Sequence, residues 1–168
     1  MKRILIPVDG SETSMFGVRH VVQQFMADSA MEIHLLNVQP PFSQDISQFS
    51  SRRSRQELHR EQADAALVDA RKALDAHSIP YAVHYAVGDS AHVISDTAAR
   101  LHCDEIVLST ARKNSLTRLV EGSVAMHVVE LSTVPVELVP GPEMTKLERF
   151  GIPAALAAAA AAMIAAID

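Results

Sequence analysis

The chain begins Met1-Lys2-Arg3-Ile4-Leu5-Ile6-Pro7-Val8-Asp9-Gly10-Ser11. Residues 3–8 make a short β-rich run, and the Asp-Gly-Ser that closes it is a strand-to-loop junction. A near-continuous apolar strand, unlike an alternating one, is buried on both faces, as in a parallel sheet. The apolar stretch is too soon broken to be the h-region of a signal peptide.

Four more such runs follow, at 31–38 (stopped by Pro40-Pro41), 81–87, 104–109 and 134–139 (ended by Pro140-Gly141). Helical spacing fills the intervals. Thr13 or Ser14 caps a helix to about Asp28 that carries Phe16, His20, Val21, Gln24 and Phe25. Residues 42–54 read as a solvated loop rich in Ser, Gln and Arg. A polar helix then runs from about Gln56 to His77, with Leu58, Ala65, Val68 and Leu74 as its apolar side. After Gly88-Asp89, Ser90 caps a helix bearing Val93, Ile94, Thr97, Ala98 and Leu101, and a last one spans about 122–131. Helical crossovers of this length make neighbouring strands parallel and right-handed. The expected fold is α/β, an open doubly wound five-stranded parallel sheet.

Composition narrows the classes. The 168 residues are 48% hydrophobic but only 4% aromatic, with a net charge of −5. This excludes disorder and gives no positive field to draw the protein to nucleic acid. One domain is expected over 1–141, followed by a C-terminal extension, 142–168. In that extension, residues 151–167 carry no charge and ten of these 17 are alanine. Ile152, Leu156, Met163 and Ile167 form one stripe, so an Ala-rich packing helix is expected in place of a stable membrane span. The lone Cys103 excludes an intramolecular disulfide and fits a reducing, cytoplasmic setting.

In a doubly wound sheet the ligand crevice lies beyond the carboxyl ends of the strands, where the strand order reverses. With the first strand central, the loop Asp9 to Thr13 faces the loop Ser109 to Ser115, which leads through Glu121-Gly122-Ser123 into a helix. A helix N-terminus offers free N–H groups and a positive dipole to a phosphate. Asp9 can accept hydrogen bonds from a ribose hydroxyl. Gly-Ser before a helix is also an ordinary cap.

Taken in order, Ile4 to Ser11, Val87-Gly88-Asp89, Asp104 to Ser109, Gly122-Ser123-Val124 and Val134 to Val139 resemble the universal stress protein family over roughly residues 2–140. The resemblance implies parallel order 3-2-1-4-5, homodimerisation commonly through the last strand (134–139), and a role in stress tolerance. It also implies binding of an adenine nucleotide, ATP with Mg²⁺, at Pro7, Val8, Asp9, Val38, Ser109, Arg112, Gly122, Ser123 and Val124. In this reading Asp9 contacts ribose, Val38 contacts adenine, and Gly122-Ser123-Val124 hold the phosphates. ATP-binding members carry Gly-x-x-Gly, nine residues, then Gly-Ser or Gly-Thr; counting back from Gly122, Ser109 and Arg112 stand at the two earlier glycines. Arg112 either binds phosphate bidentately or fills its space.

Other features carry less. The eight histidines show no metal-ligand spacing and read as structural or surface residues. Cys103 has no basic neighbour in sequence and reads as a packed thiol. Arg52-Arg53-Ser54-Arg55 reads as a solvated helix start. Ser11, Ser109 and Ser123 lack an adjacent His–Asp arrangement, so no catalytic residue is expected. The leading expectation is a dimeric, ATP-binding stress-response regulator that is not an enzyme. The alternative is a nucleotide-free dimeric interaction module whose crevice Arg112 closes.

Overall fold

A computed structural model describes residues 1–42, 52–110 and 124–141, all of them within the compact unit formed by Met1–Ala111 and Val120–Gly141. The expected extension, 142–168, lies outside the described residues. In chain order the elements are β1 (Lys2–Pro7), α1 (Ser14–Ala27), β2 (Met31–Gln39), α2 (Arg52–Asp75), β3 (Tyr81–Val87), α3 (Ser90–Arg100), β4 (Glu105–Thr110), α4 (Val124–Leu131) and β5 (Val136–Pro140). The sheet has five strands in the order β3-β2-β1-β4-β5, and every pairing is parallel. Strand order and fold class are as the sequence predicts.

Alternation along each strand divides the core in two. Ile4, Ile6, Ile33, Leu35 and Val107 point to one face, where Val18, Val21 and Val22 of α1 and Leu67, Ala70 and Leu74 of α2 cover them. Leu5, Leu36, Ile106 and Leu108 point to the other, against Ala91, Ile94 and Ala98 of α3 and Ala125 and Val128 of α4. Each fully buried Leu or Ile contributes about 1.5–3 kcal/mol relative to exposure. The central strands are buried on both faces, but the edge strand β3 has only half-buried and exposed residues. An edge strand has a neighbour on one side only, so continuous burial is not required of it.

Several local expectations need correction. Helix α2 begins at Arg52, so the last residues assigned to the solvated loop are helical. Its core stripe is Ala63, Leu67, Ala70 and Leu74, whereas Leu58 and Val68 are 42% and 43% exposed. The observed face buries both Leu67 and Leu74; Asp64 and Arg71 flank it, paired at 2.7 Å, and the Tyr85 hydroxyl of β3 donates to Asp64 at 2.6 Å. Buried positions on α1 are Ser14, Gly17, Val18, Val21 and Val22; Phe16, His20, Gln24 and Phe25 of the predicted stripe lie half-buried at its flank. The cap of α3 is Asp89, not Ser90; its carboxylate accepts from the His92 backbone N–H at 3.1 Å. Strand β5 starts two residues late because Ser132 Oγ holds Val134 by both its N–H and its carbonyl, at 3.0 and 2.8 Å.

The rotated face of α2 can be checked directly. Leu67→Ala is expected to cost about 2–5 kcal/mol in urea denaturation, and Val68→Ala about 0.5 kcal/mol or less. The predicted face would give the reverse ranking.

Candidate functional site

Pro7 ends β1 and the chain turns away, leaving a gap between the carboxyl ends of β1 and β4. A cavity of about 370 Å³ occupies it. Its walls come from Pro7, Val8 and Asp9 after β1, from Leu36 and Val38 of β2, from Leu108 and Ser109 of β4, and from Val124 and Ala125 of α4. Ser90 and Ile94 of α3 and Ser11, Thr13 and Ser14 at the head of α1 complete it. Six of the predicted site residues, Pro7, Val8, Asp9, Val38, Ser109 and Val124, thus line one cavity. Arg112, Gly122 and Ser123 lie outside the described residues.

The β1–α1 turn is fastened from three sides. Val8 donates its N–H to the Leu36 carbonyl at 2.8 Å. The Asn37 amide, 1% exposed, donates to the Val8 carbonyl at 2.8 Å and accepts from the Gln39 side chain at 2.7 Å. Gly10 sits at φ +82, and a Cβ there would lie 3.0 Å from the Ala66 Cα of α2. That position therefore needs glycine both for its dihedral and for its clearance. Asn37 escaped the sequence reading; its only signal is a lone amide in an apolar strand.

Asp9 is the one charged side chain among the described lining residues. Burial pushes its carboxyl up, but hydrogen bonds from Ser11, with a contribution from Ser14, outweigh it and hold the pKa below the ordinary value. The Ser11 N–H lies 2.9 Å from Asp9 Oδ1. A carboxylate with a lowered pKa supports the fold above the ordinary value, and that support is lost as pH falls through the lowered one. At neutral pH the crevice therefore presents an anionic acceptor beside an apolar floor of Leu36, Val38, Ile94 and Leu108.

Neither Thr13 nor Ser14 caps α1 as predicted. Thr13 precedes the helix but makes no side-chain cap bond, and the Ser14 N–H goes to Ser11 Oγ at 3.1 Å. The Gly17 N–H crosses to β4 and donates to Ser109 Oγ at 2.6 Å. That hydroxyl in turn reaches the Ser14 carbonyl at 3.3 Å. A Cβ on Gly17 would come within 2.9 Å of Ser109 Oγ. Ser109 thus spends its side chain on α1, on the far side of the strand from Leu108.

Among the described residues no group of three or more His, Cys, Asp or Glu is placed to hold a metal ion. Cys103 is buried, and burial raises its pKa. No helix among the described residues is long and apolar enough to cross a membrane.

Strand order, crossover helices and the position of the cavity define a doubly wound α/β protein with its crevice at the topological switch point. The family model for the universal stress protein family matches residues 1–140, and the chain belongs to that family. It is 28% identical over 145 residues to Universal stress protein MJ0531 of Methanocaldococcus jannaschii, covering 84% of each chain. Among solved structures it resembles hypothetical protein MJ0577, with 26% identity and a TM-score of 0.66 over 85% of this chain and 98% of that one. A universal stress protein in complex with cAMP shares the fold at 20% identity and a TM-score of 0.62, covering 84% and 98%. So does an Arabidopsis thaliana family protein with AMP bound, at 15% identity and a TM-score of 0.59, covering 84% and 93%.

A double-mutant cycle tests the Ser109–Gly17 contact. Ser109→Gly, which restores the family's glycine, is expected to cost about 0.5–2 kcal/mol, as losing a helix cap does. Gly17→Ala alone is expected to destabilise, yet to stabilise in the Ser109→Gly background, where the obstructing hydroxyl is gone and alanine is the better helix former. Additive effects would exclude the contact.

Proposed function

We propose that the chain binds an adenine nucleotide, ATP with Mg²⁺, in this crevice and acts as a dimeric stress-response regulator, not a catalyst. The observation that supports it best is the convergence of Pro7, Val8, Asp9, Val38, Ser109 and Val124 on one cavity at the sheet's switch point. The apolar floor suits an adenine ring and the Asp9 carboxylate suits a ribose hydroxyl. In this reading Gly122 and Ser123 hold the phosphates at the start of α4. Two fold relatives are described with cAMP and with AMP, ligands of the same chemical class.

Asp9 is also the one described carboxylate in the crevice, so the metal would take most of its ligands from the nucleotide and water. For the dimer, the surface in question is the sheet edge at β5 with the neighbouring α4. Met126 is 52% exposed there, Val129 and Leu131 are each 43% exposed, and Leu138 is 40% exposed.

Calorimetry with ATP, with and without Mg²⁺, tests the reading. Asp9→Ala is expected to weaken binding roughly tenfold to a hundredfold, since a hydrogen bond to a charged group is worth about 1.5–3 kcal/mol. Gly122→Val is expected to abolish it. Arg112→Gly separates the two roles of that arginine: affinity rises if it blocks the crevice and falls if it is a ligand. The absence of both heat and thermal shift at millimolar ATP would defeat the proposal in favour of the nucleotide-free module. Light scattering reads the dimer independently, and a monomer would remove that half of the proposal.

A further inference from the structure

Away from the crevice, two histidines meet across the β2–β3 pairing on the face covered by α3. His34 is 6% exposed, and its Nδ1 lies 3.0 Å from Nε2 of the half-buried His84. The rings are tilted by 38° with centroids 5.2 Å apart. On the other side of the His34 ring, Nε2 is buried and faces Glu32 Oε1 at 3.3 Å, out of hydrogen-bond alignment. Glu32 is itself held by Arg3 of β1 at 2.9 Å, and the Arg3 backbone N–H donates to Asp104 at 2.7 Å. Arg100, at the end of α3, adds a positive charge to the surroundings of His84.

The bond between the rings needs one nitrogen bearing a hydrogen and one bare. It survives with both rings neutral or with a single imidazolium. A second proton places N–H against N–H and two positive charges side by side, in a site where α3 limits water. We propose that the His34–His84 pair is an acid-sensitive latch that holds the edge strand β3 to β2 and opens when the second ring is protonated. This goes beyond nucleotide binding and stands whether or not the crevice takes a ligand.

The environment sets the direction. Burial, then the charges of His34 and Arg100, lower the pKa of His84 below its ordinary 6.5. A histidine with a depressed folded pKa supports the fold fully above the unfolded value, about 6.5. That support declines as pH falls from there toward the folded value, because the unfolded chain takes up the proton first. The strand affected lies at an edge of the sheet. β3 has β2 as its one partner in the sheet, and its pairing runs from Ile33–Tyr81 to Gln39–Val87 with His34 opposite Ala82 and His84 opposite Leu36.

Imidazole-¹⁵N NMR on the full chain between pH 8 and pH 5, with amide hydrogen exchange at the two ends of that range, tests the latch. His84 is expected to titrate below the ordinary histidine value. Protection of Tyr81–Val87 is expected to fall ahead of Lys2–Pro7, by up to about tenfold for each pH unit between the folded and unfolded values of His84. His84→Gln keeps a hydrogen-bonding side chain without the titration, and β3 protection is expected to become insensitive to pH. An ordinary His84 titration, β3 and β1 losing protection together, or an unchanged acid loss in His84→Gln would each overturn the proposal. If His84→Gln does not fold, the titration and exchange of the unmodified chain still decide it.

Discussion

Strand β1 is hydrogen-bonded on both sides to strands running in its own direction, and layers of helix lie above and below it. Ile4, Leu5 and Ile6 are each fully buried, so the middle of the strand has no face or edge on which a polar side chain can stand. Its direction then fixes where everything else can go. Parallel neighbours demand crossovers; right-handed ones run from β1 through β2 to β3 and then back from β3 to β4 and β5, and the reversal puts the two pairs of helices on opposite faces. Loops that leave β1 and β4 at their carboxyl ends therefore diverge, and the crevice is the space between them. It is a consequence of how the central strand is buried, before any residue lines it.

What fills that space shows how one departure from a family pattern is absorbed. A glycine at position 109 would leave room beside β4 that this chain gives to a hydroxyl. The hydroxyl is accommodated because position 17, on the first turn of α1, carries no side chain. It is useful because it gives the Gly17 N–H an acceptor on the sheet at 2.6 Å, bonding the first turn of α1 to β4. The exchange leaves the crevice wall at β4 to backbone and to Leu108. It also ties the α1 end of the site to the sheet through a side chain, where a glycine offers only contact.

The central strands were legible from sequence because their burial is continuous and their terminators, such as Asp9-Gly10 and Pro40-Pro41, are unambiguous. Helix α2 was harder for a physical reason. Its alanines fit either face, so the phase of the stripe was carried by Leu58 and Val68, which turn out to be exposed, against Leu67, which is not. The Asp64–Tyr85–Arg71 network beside the observed face joins residues 21 positions apart, and periodicity within one helix cannot register it. The same limit applied to the site. Asp9 could be singled out by its place just after the first strand, and Val38 only through the family resemblance. Asn37 and Gly17 matter only through partners on other elements, Val8 and Ser109.

The histidine pair is the extreme of that limit, since its partners are 50 residues apart and meet only through the β2–β3 register. Eight histidines without metal spacing gave no reason to single out two. Register also determines what the pair can influence. His34, Leu36 and Val38 lie on the same face of β2 by alternation, and the last two line the crevice. Strand β3 runs directly into Gly88 and Asp89, the cap of α3, and α3 supplies Ser90 and Ile94 to the same cavity. Loosening β3 would therefore release the cap at one wall of the crevice, while the β1–α1 turn stays held by Asn37 and Ser109. Protonation at the pair and a ligand in the crevice would therefore act on the same segment, β3 through α3, and linkage would make such a coupling reciprocal.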